Sequence, residues 1–244
     1  MAALNHLHLH VASLERAREL LSPLKLPRPL TIKLEGCDGV ANAWYEEDAV
    51  TICYEYLEFI RQSAPEKGDG PKGATGKSAL VGPFVDVTLH EVGHAVFDIL
   101  QVPVFGREED AADQFSAYVI LNFAPREARS LIRSIAYLGA KEAKEAMAKG
   151  TGIQDFADSH GLPAQRYFNT LCMAYGSSPR AYRDALTKGE LTEARAEGCE
   201  FEYAALERAF TKLIKPYVDQ KLLRQIRLRN LFGMIDGNDA ADTK

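Results

Sequence analysis

Apolar positions recur along this chain with two periods, and the change from one to the other sets its organisation. Val11 to Ser22 repeats at helical spacing, whereas Leu30 to Leu34, Val40 to Tyr45 and Ala49 to Cys53 alternate or cluster over short runs. That pattern predicts one amphipathic helix followed by three strands. Tyr54 to Gln62 returns to the helical period. Ser63 to Lys77 then carries Pro65, Gly68, Gly70, Pro71, Gly73 and Gly76 among several lysines, which predicts a loop, either a plain surface connection or a lid or nicking site. Gly82-Pro83 precedes a strongly apolar stretch, with Pro83 suited to a first helical turn. After Asn122 the pattern is helical almost throughout: Pro125 to Met147, Gln165 to Tyr175, Arg180 to Thr187, and Cys199 to Leu231 broken at Pro216. The residues from Gly233 onward are polar and predict a frayed end. The expected fold is therefore mainly helical α+β, arranged as one unit over 1–244. A small sheet and one central helix occupy about 30–122, a helical region about 123–232, and a tail 233–244.

One helical segment carries chemistry. In His90-Glu91-Val92-Gly93-His94 the two histidines stand four apart. On a helix they share a face and present two ring nitrogens to one ion, with Glu91 beside them. A catalytic zinc needs a third protein ligand and one open position. The extended pattern with a third histidine six residues on is excluded, because Phe97 and Leu100 stand where its glycine and histidine belong. The next histidine is His160, so the donor falls to the acidic run Glu108-Glu109-Asp110-Ala111-Ala112-Asp113. Glu109 is the best candidate, with Glu108, Asp110 and Asp113 as alternatives. On a helix, Glu109, Ala112, Asp113 and Ser116 share a face. Ala112 allows close approach of the first helix, and Asp113 is placed to accept the free N–H of a ligating imidazole.

A His-Glu-x-x-His helix followed by Glu-x-x-Ala-Asp resembles the gluzincin type of metallopeptidase. The run Gly106-Arg107-Glu108-Glu109-Asp110-Ala111-Ala112-Asp113-Gln114 further resembles a bacterial metallopeptidase family known by a domain-of-unknown-function label. Asn42-Ala43-Trp44-Tyr45, Val50 to Glu55, Gln165 to Asn169 and Tyr175-Gly176-Ser177 look like the same family, so the resemblance spans roughly 30–215. It implies a zincin-like fold, one Zn²⁺ per chain and hydrolysis of an amide.

Charge gives a mechanism to test. Two neutral imidazoles and a carboxylate leave the centre net positive, which favours an acidified water, and Glu91 is the general base. A second donor for the tetrahedral oxyanion is expected from His160, beside acids in Asp155 to Gly161, or from the Tyr167 phenol. An extended peptide would add to an edge strand at Asn42 to Tyr45. The expected function is zinc-dependent hydrolysis of peptide bonds. The rivals are a silent zincin that binds peptides or proteins, and a zinc amidohydrolase acting on a non-peptide amide.

Composition narrows the partners. With 46% hydrophobic and 26% charged residues the chain is ordinary globular material, and a net charge of −5 without a basic aromatic patch argues against nucleic acid. No apolar run is long enough for a membrane span, and no export signal precedes the fold. None of the four cysteines forms a Cys-x-x-Cys pair. Local pairing of Cys37 with Cys53 and Cys172 with Cys199 would place the protein in a periplasmic or secreted setting; four free thiols would suit the cytoplasm. His6, His8 and His10 alternate with apolar residues but are read as solvated.

Overall fold

In a computed structural model, the structure describes residues 14–65 and 78–227. Most of the loop expected over 63–77, the three N-terminal histidines and the polar tail lie outside them. Helix α1 covers the described residues 14–21. Strands β1 (Thr31–Glu35), β2 (Ala43–Glu46) and β3 (Ala49–Cys53) follow, then α2 (Tyr54–Ser63), α3 (Ser78–Ile99), α4 (Glu108–Leu121) and α5 (Pro125–Lys149). The chain continues through a 3-10 turn at Ile153–Ala157, α6 (Pro163–Ser177), α7 (Arg183–Thr187), α8 (Glu193–Ala196), α9 (Cys199–Leu213) and α10 (Gln220–Arg227). The fold is mainly helical with one three-stranded sheet, which is the expected α+β class.

The sheet order is β1-β3-β2, with β3 parallel to β1 and antiparallel to β2. β3 is the central strand, and Val50, Thr51, Ile52 and Cys53 are all buried. β2 and β3 are joined by a tight turn in which Glu47 and Asp48 both have positive φ, 49° and 61°. That pair of conformations matches the right-handed twist of a two-residue hairpin. Asp48 is then held by Arg28, whose Nε donates to it over 2.6 Å. Arg28 Nη2 and the Tyr45 hydroxyl both reach Asp98 near the end of α3, at 2.5 and 2.7 Å, which ties the sheet to that helix.

α3 runs through the middle of the molecule. It is apolar nearly all round, the mark of a helix covered on several sides. Leu89, Val92, Ala95 and Val96 are buried, in a core shared with Val50 and Ile52 of the sheet, Phe115 of α4 and Leu131 and Ile132 of α5. Pro83 lies inside α3, not in its first turn, because the helix already begins at Ser78. The packing around the bend is close: a Cβ on Gly82 would stand 2.9 Å from the Leu131 carbonyl oxygen of α5. A second core joins α6 and α9 through Leu171, Cys172, Met173 and Cys199.

Some boundaries differ from the sequence pattern. The long C-terminal segment is α9, a 3-10 turn at Lys215–Tyr217 containing Pro216, and α10; residues after 227 are outside the description. α8 and the 3-10 turn after α5 were not expected, since segments of four and five residues are too short to establish a period. Two disulfides, Cys37–Cys53 and Cys172–Cys199, account for all four cysteines. The first is clasped by Glu55, whose carboxylate accepts the backbone N–H groups of Cys37 and Gly39 at 3.0 Å. No helix among the described residues is long and apolar enough to cross a membrane.

Candidate metal centre

Because α3 is surrounded by apolar neighbours, its polar residues need specific partners. Asp86, His90 and His94 recur at i, i+4 and i+8 and form one stripe. α4 crosses this stripe at close range: a Cβ on Gly93 would lie 3.3 Å from Cα of Ala112. Gly93, inside the His-Glu-x-x-His segment, and Ala112, inside the acidic one, are thus the two small residues that let the helices touch. Contact at that point brings Glu109 and Asp113 against the histidines.

The ring nitrogens divide into two sets. His90 Nδ1 lies 2.8 Å from Asp113 Oδ1, and His94 Nδ1 lies 2.8 Å from Glu108 Oε1. With each Nδ1–H donated to a carboxylate, the neutral rings turn unprotonated Nε2 atoms toward each other. Those two atoms are 3.2 Å apart, and Glu109 Oε2 is 3.0 and 3.3 Å from them. His160 Nε2 approaches the same Glu109 oxygen at 2.9 Å, while its Nδ1 is 3.3 Å from Asp158 Oδ1. Atoms bound to one zinc at about 2.0–2.2 Å in a tetrahedron stand roughly 3.3–3.5 Å from one another. The donor types suit a metal ion, and their separations of 2.9–3.3 Å are close to that spacing.

Without an ion, the surrounding carboxylates favour a further proton on His90. Burial opposes a charge on His90, but Asp113 and Glu109 outweigh it and raise its pKa to about 9. Glu109 is held down to about 2, chiefly by its bond to His90. Asp113 is lowered below the ordinary carboxylate range: burial works against its charge, and His90 and Arg166 overcome it. Arg166 clasps Asp113 with Nε and Nη2 at 2.8 and 2.7 Å. Glu91 is buried beside the cluster, and burial raises its pKa despite the nearby imidazoles. A carboxylate so placed is a stronger base than an exposed one.

The structure thus brings together His90, Glu91, His94, Glu109, Asp113 and His160. Tyr167 makes no hydrogen bond to these groups among the described residues, though it lines the same cavity as His160 and Asp113. It packs against Gly139 of α5, and burial raises its phenol, with Glu190 and Arg133 as the nearby charges. Two supporting residues take roles that the sequence reading did not give them, Glu108 having stood there only as an alternative ligand. Glu108 holds His94, and its position beside Glu109 was the available signal. Arg166 fixes Asp113 from α6, fifty-three residues away, and no local pattern could connect them. Among the described residues one other group of metal-binding types gathers, Cys37, Cys53 and Glu55. Its two sulfurs are bonded to each other, so it is not available to an ion.

This mainly helical α+β protein brings side chains of metal-binding type together beside a buried second glutamate. Residues 8–214 match the sequence profile of the DUF4344 family, described as "Putative metallopeptidase", and the chain belongs to that family. No curated protein and no solved structure gives a significant match.

Proposed function

We propose that this chain is a zinc-dependent peptidase of the zincin type in which His90, His94 and Glu109 hold the ion. The carrying observation is the convergence of His90 Nε2, His94 Nε2 and Glu109 Oε2 within 3.3 Å, next to buried Glu91. Two imidazoles and one carboxylate suit zinc, which when bound supplies carbonyl polarisation and a more acidic water. Glu91 accepts a proton from the attacking water and delivers it to the leaving amine. Its raised pKa suits both directions of transfer. Asp113 and Glu108 keep the ligand rings in the tautomer that leaves Nε2 available. His160, tethered by Asp158 through its backbone N–H at 2.8 Å, donates to the substrate oxygen as it gains negative charge. Tyr167 is the lesser candidate for that role. The substrate runs beside β2, the edge strand whose preceding residue Asn42 lines the cavity next to His160. Two disulfides suit an oxidising compartment outside the cytoplasm.

One observation favours a second reading. His160 Nε2 is as close to Glu109 as His90 Nε2 is, so His160 is also placed to be a fourth ligand. A site with four protein ligands would be structural, or latent until His160 withdraws. His160 keeps 42% of its side chain exposed, against 7% for His90, which favours the donor role for a group that must meet substrate.

The test combines metal analysis with a quenched-peptide library. The parent protein should hold one zinc per chain and cleave. Glu91→Gln should keep the zinc and lose about 10²- to 10⁴-fold in kcat, and Glu109→Ala should be depleted of metal. His160→Ala should keep its zinc and lose about 10²- to 10³-fold in kcat. Loss of zinc from His160→Ala would favour the closed site instead, and no zinc in the parent after reconstitution would sink the proposal.

A further inference from the structure

A cavity of about 670 Å³ opens beside the candidate centre, with walls from α3, α5, α6 and the residue before β2. His160 and Asp113 stand at one end. Its lining holds six carboxylates against one lysine and one arginine. The arginine is Arg166, already committed to Asp113 by two hydrogen bonds. Asp86 on α3 and Glu142 on α5 face this space too, and share the charge of that one arginine with Asp113. Asp86 accepts a hydrogen bond of 2.6 Å from the Ser116 hydroxyl, and Glu142 makes no hydrogen bond or ion pair among the described residues. Tyr56 of α2 lies in the same wall, and its phenol makes no hydrogen bond among the described residues. Burial drives the Tyr56 phenol well above its ordinary value and raises both carboxylates.

Two kinds of cation would match them. A hard metal ion requires several oxygen ligands within a small sphere. Among the described residues no third acid gathers with Asp86 and Glu142 closely enough for that. An ammonium or guanidinium on a long aliphatic stem fits better, because it can pair with carboxylates from two helices while its stem lies on Tyr56. Asp86 is one helical turn before His90, about 6 Å along the axis. That is about two residues of extended peptide, so the side chain received here flanks the scissile bond.

We propose that this cavity is the subsite for a lysine or arginine side chain of the peptide substrate, with Asp86 and Glu142 pairing with its cation. The inference rests on the peptidase reading, and its test separates the two. Matched quenched peptides carrying lysine or norleucine, and arginine or citrulline, at each position flanking the cleaved bond are compared by kcat/KM. The cationic member should be cleaved at least about tenfold faster at one position. Glu142→Gln should reduce that ratio to below about threefold while cleavage of the norleucine peptide changes less than about twofold. Asp86→Asn, which keeps an acceptor for Ser116, should act in the same direction. Equal rates for lysine and norleucine in the parent, or an unchanged ratio in both variants, would overturn the subsite. If no peptide is cleaved at all, the peptidase reading fails and binding decides the inference. Fluorescent arginine and citrulline peptides are titrated into parent and Glu142→Gln protein: a tenfold preference lost in the variant keeps the subsite, and equal binding removes it. Stoichiometric calcium binding abolished by Glu142→Gln would also overturn it, in favour of a metal site.

Discussion

At the scale of single residues, the centre is built from shared protons. His90 is held protonated up to about 9 in the metal-free protein by Asp113 and Glu109. Its folded-state pKa lies above the ordinary 6.5, so its contribution to stability is complete below about 6.5 and is lost as pH rises through about 9. An ion at Nε2 must displace that proton. Metal uptake at pH 7.5 should therefore release close to one proton per ion, and affinity should climb with pH until about 9. Calorimetry in buffers of different ionisation enthalpy reads this directly. Release of only about a tenth of a proton, as for an ordinary histidine, would contradict the raised pKa. Asp113→Asn removes the acceptor that fixes the ring and half of the pair with Arg166. It should weaken zinc affinity about 10- to 100-fold, measured by competition with a chelator, without emptying the site at saturating metal.

Among the elements, close approaches matter more than propensity. α6 and α9 meet where a Cβ on Gly176 would stand 2.6 Å from the carbonyl carbon of Cys199. By helix propensity alone Gly176→Ala should stabilise by about 1 kcal/mol. Against fixed backbone it should instead destabilise by about 1–3 kcal/mol, seen as a lower denaturant midpoint. A gain in stability would mean that α9 moves freely. The same logic explains α3 and α4: Gly93 costs the helix propensity, and the contact with Ala112 that it permits is what delivers Glu109 to the histidines. The residue types of the centre were legible from the spacing of His90, Glu91 and His94 and the run from Glu108 to Asp113. The distance at which those helices cross was suggested only by Ala112.

Across the whole molecule, the disulfides close loops of 16 and 27 residues. Chain entropy assigns them about 3 and 3.5 kcal/mol if they are unstrained. Against a total of about 5–15 kcal/mol for an ordinary domain, losing both is a large fraction. Replacing both pairs with alanine should lower the unfolding free energy by up to about 6.5 kcal/mol in denaturant titration. Cys172 and Cys199 are both fully buried, so in the native protein reduction of that bridge should follow unfolding and not precede it. A fall under about 1 kcal/mol would show that the bridges do not constrain the chain.

The order of elements and the α+β class were determined by the sequence, because hydrophobic period and Gly/Pro punctuation are local properties of a chain. The gathering of His90, His94 and Glu109 beside Glu91 was legible as well, since helical spacing puts His90 and His94 on one face and the acidic run follows closely. Cysteine pairing between near neighbours was also legible, as short loops are the easiest to close. Only tertiary structure decided that Arg166 clasps Asp113, that Glu108 holds His94 and that His160 reaches Glu109. It also placed Asp86, Glu142 and Tyr56 around one cavity. Each of these depends on where α5 and α6 pack against α3 and α4, a relation between distant segments fixed by buried volume and not written in any local period.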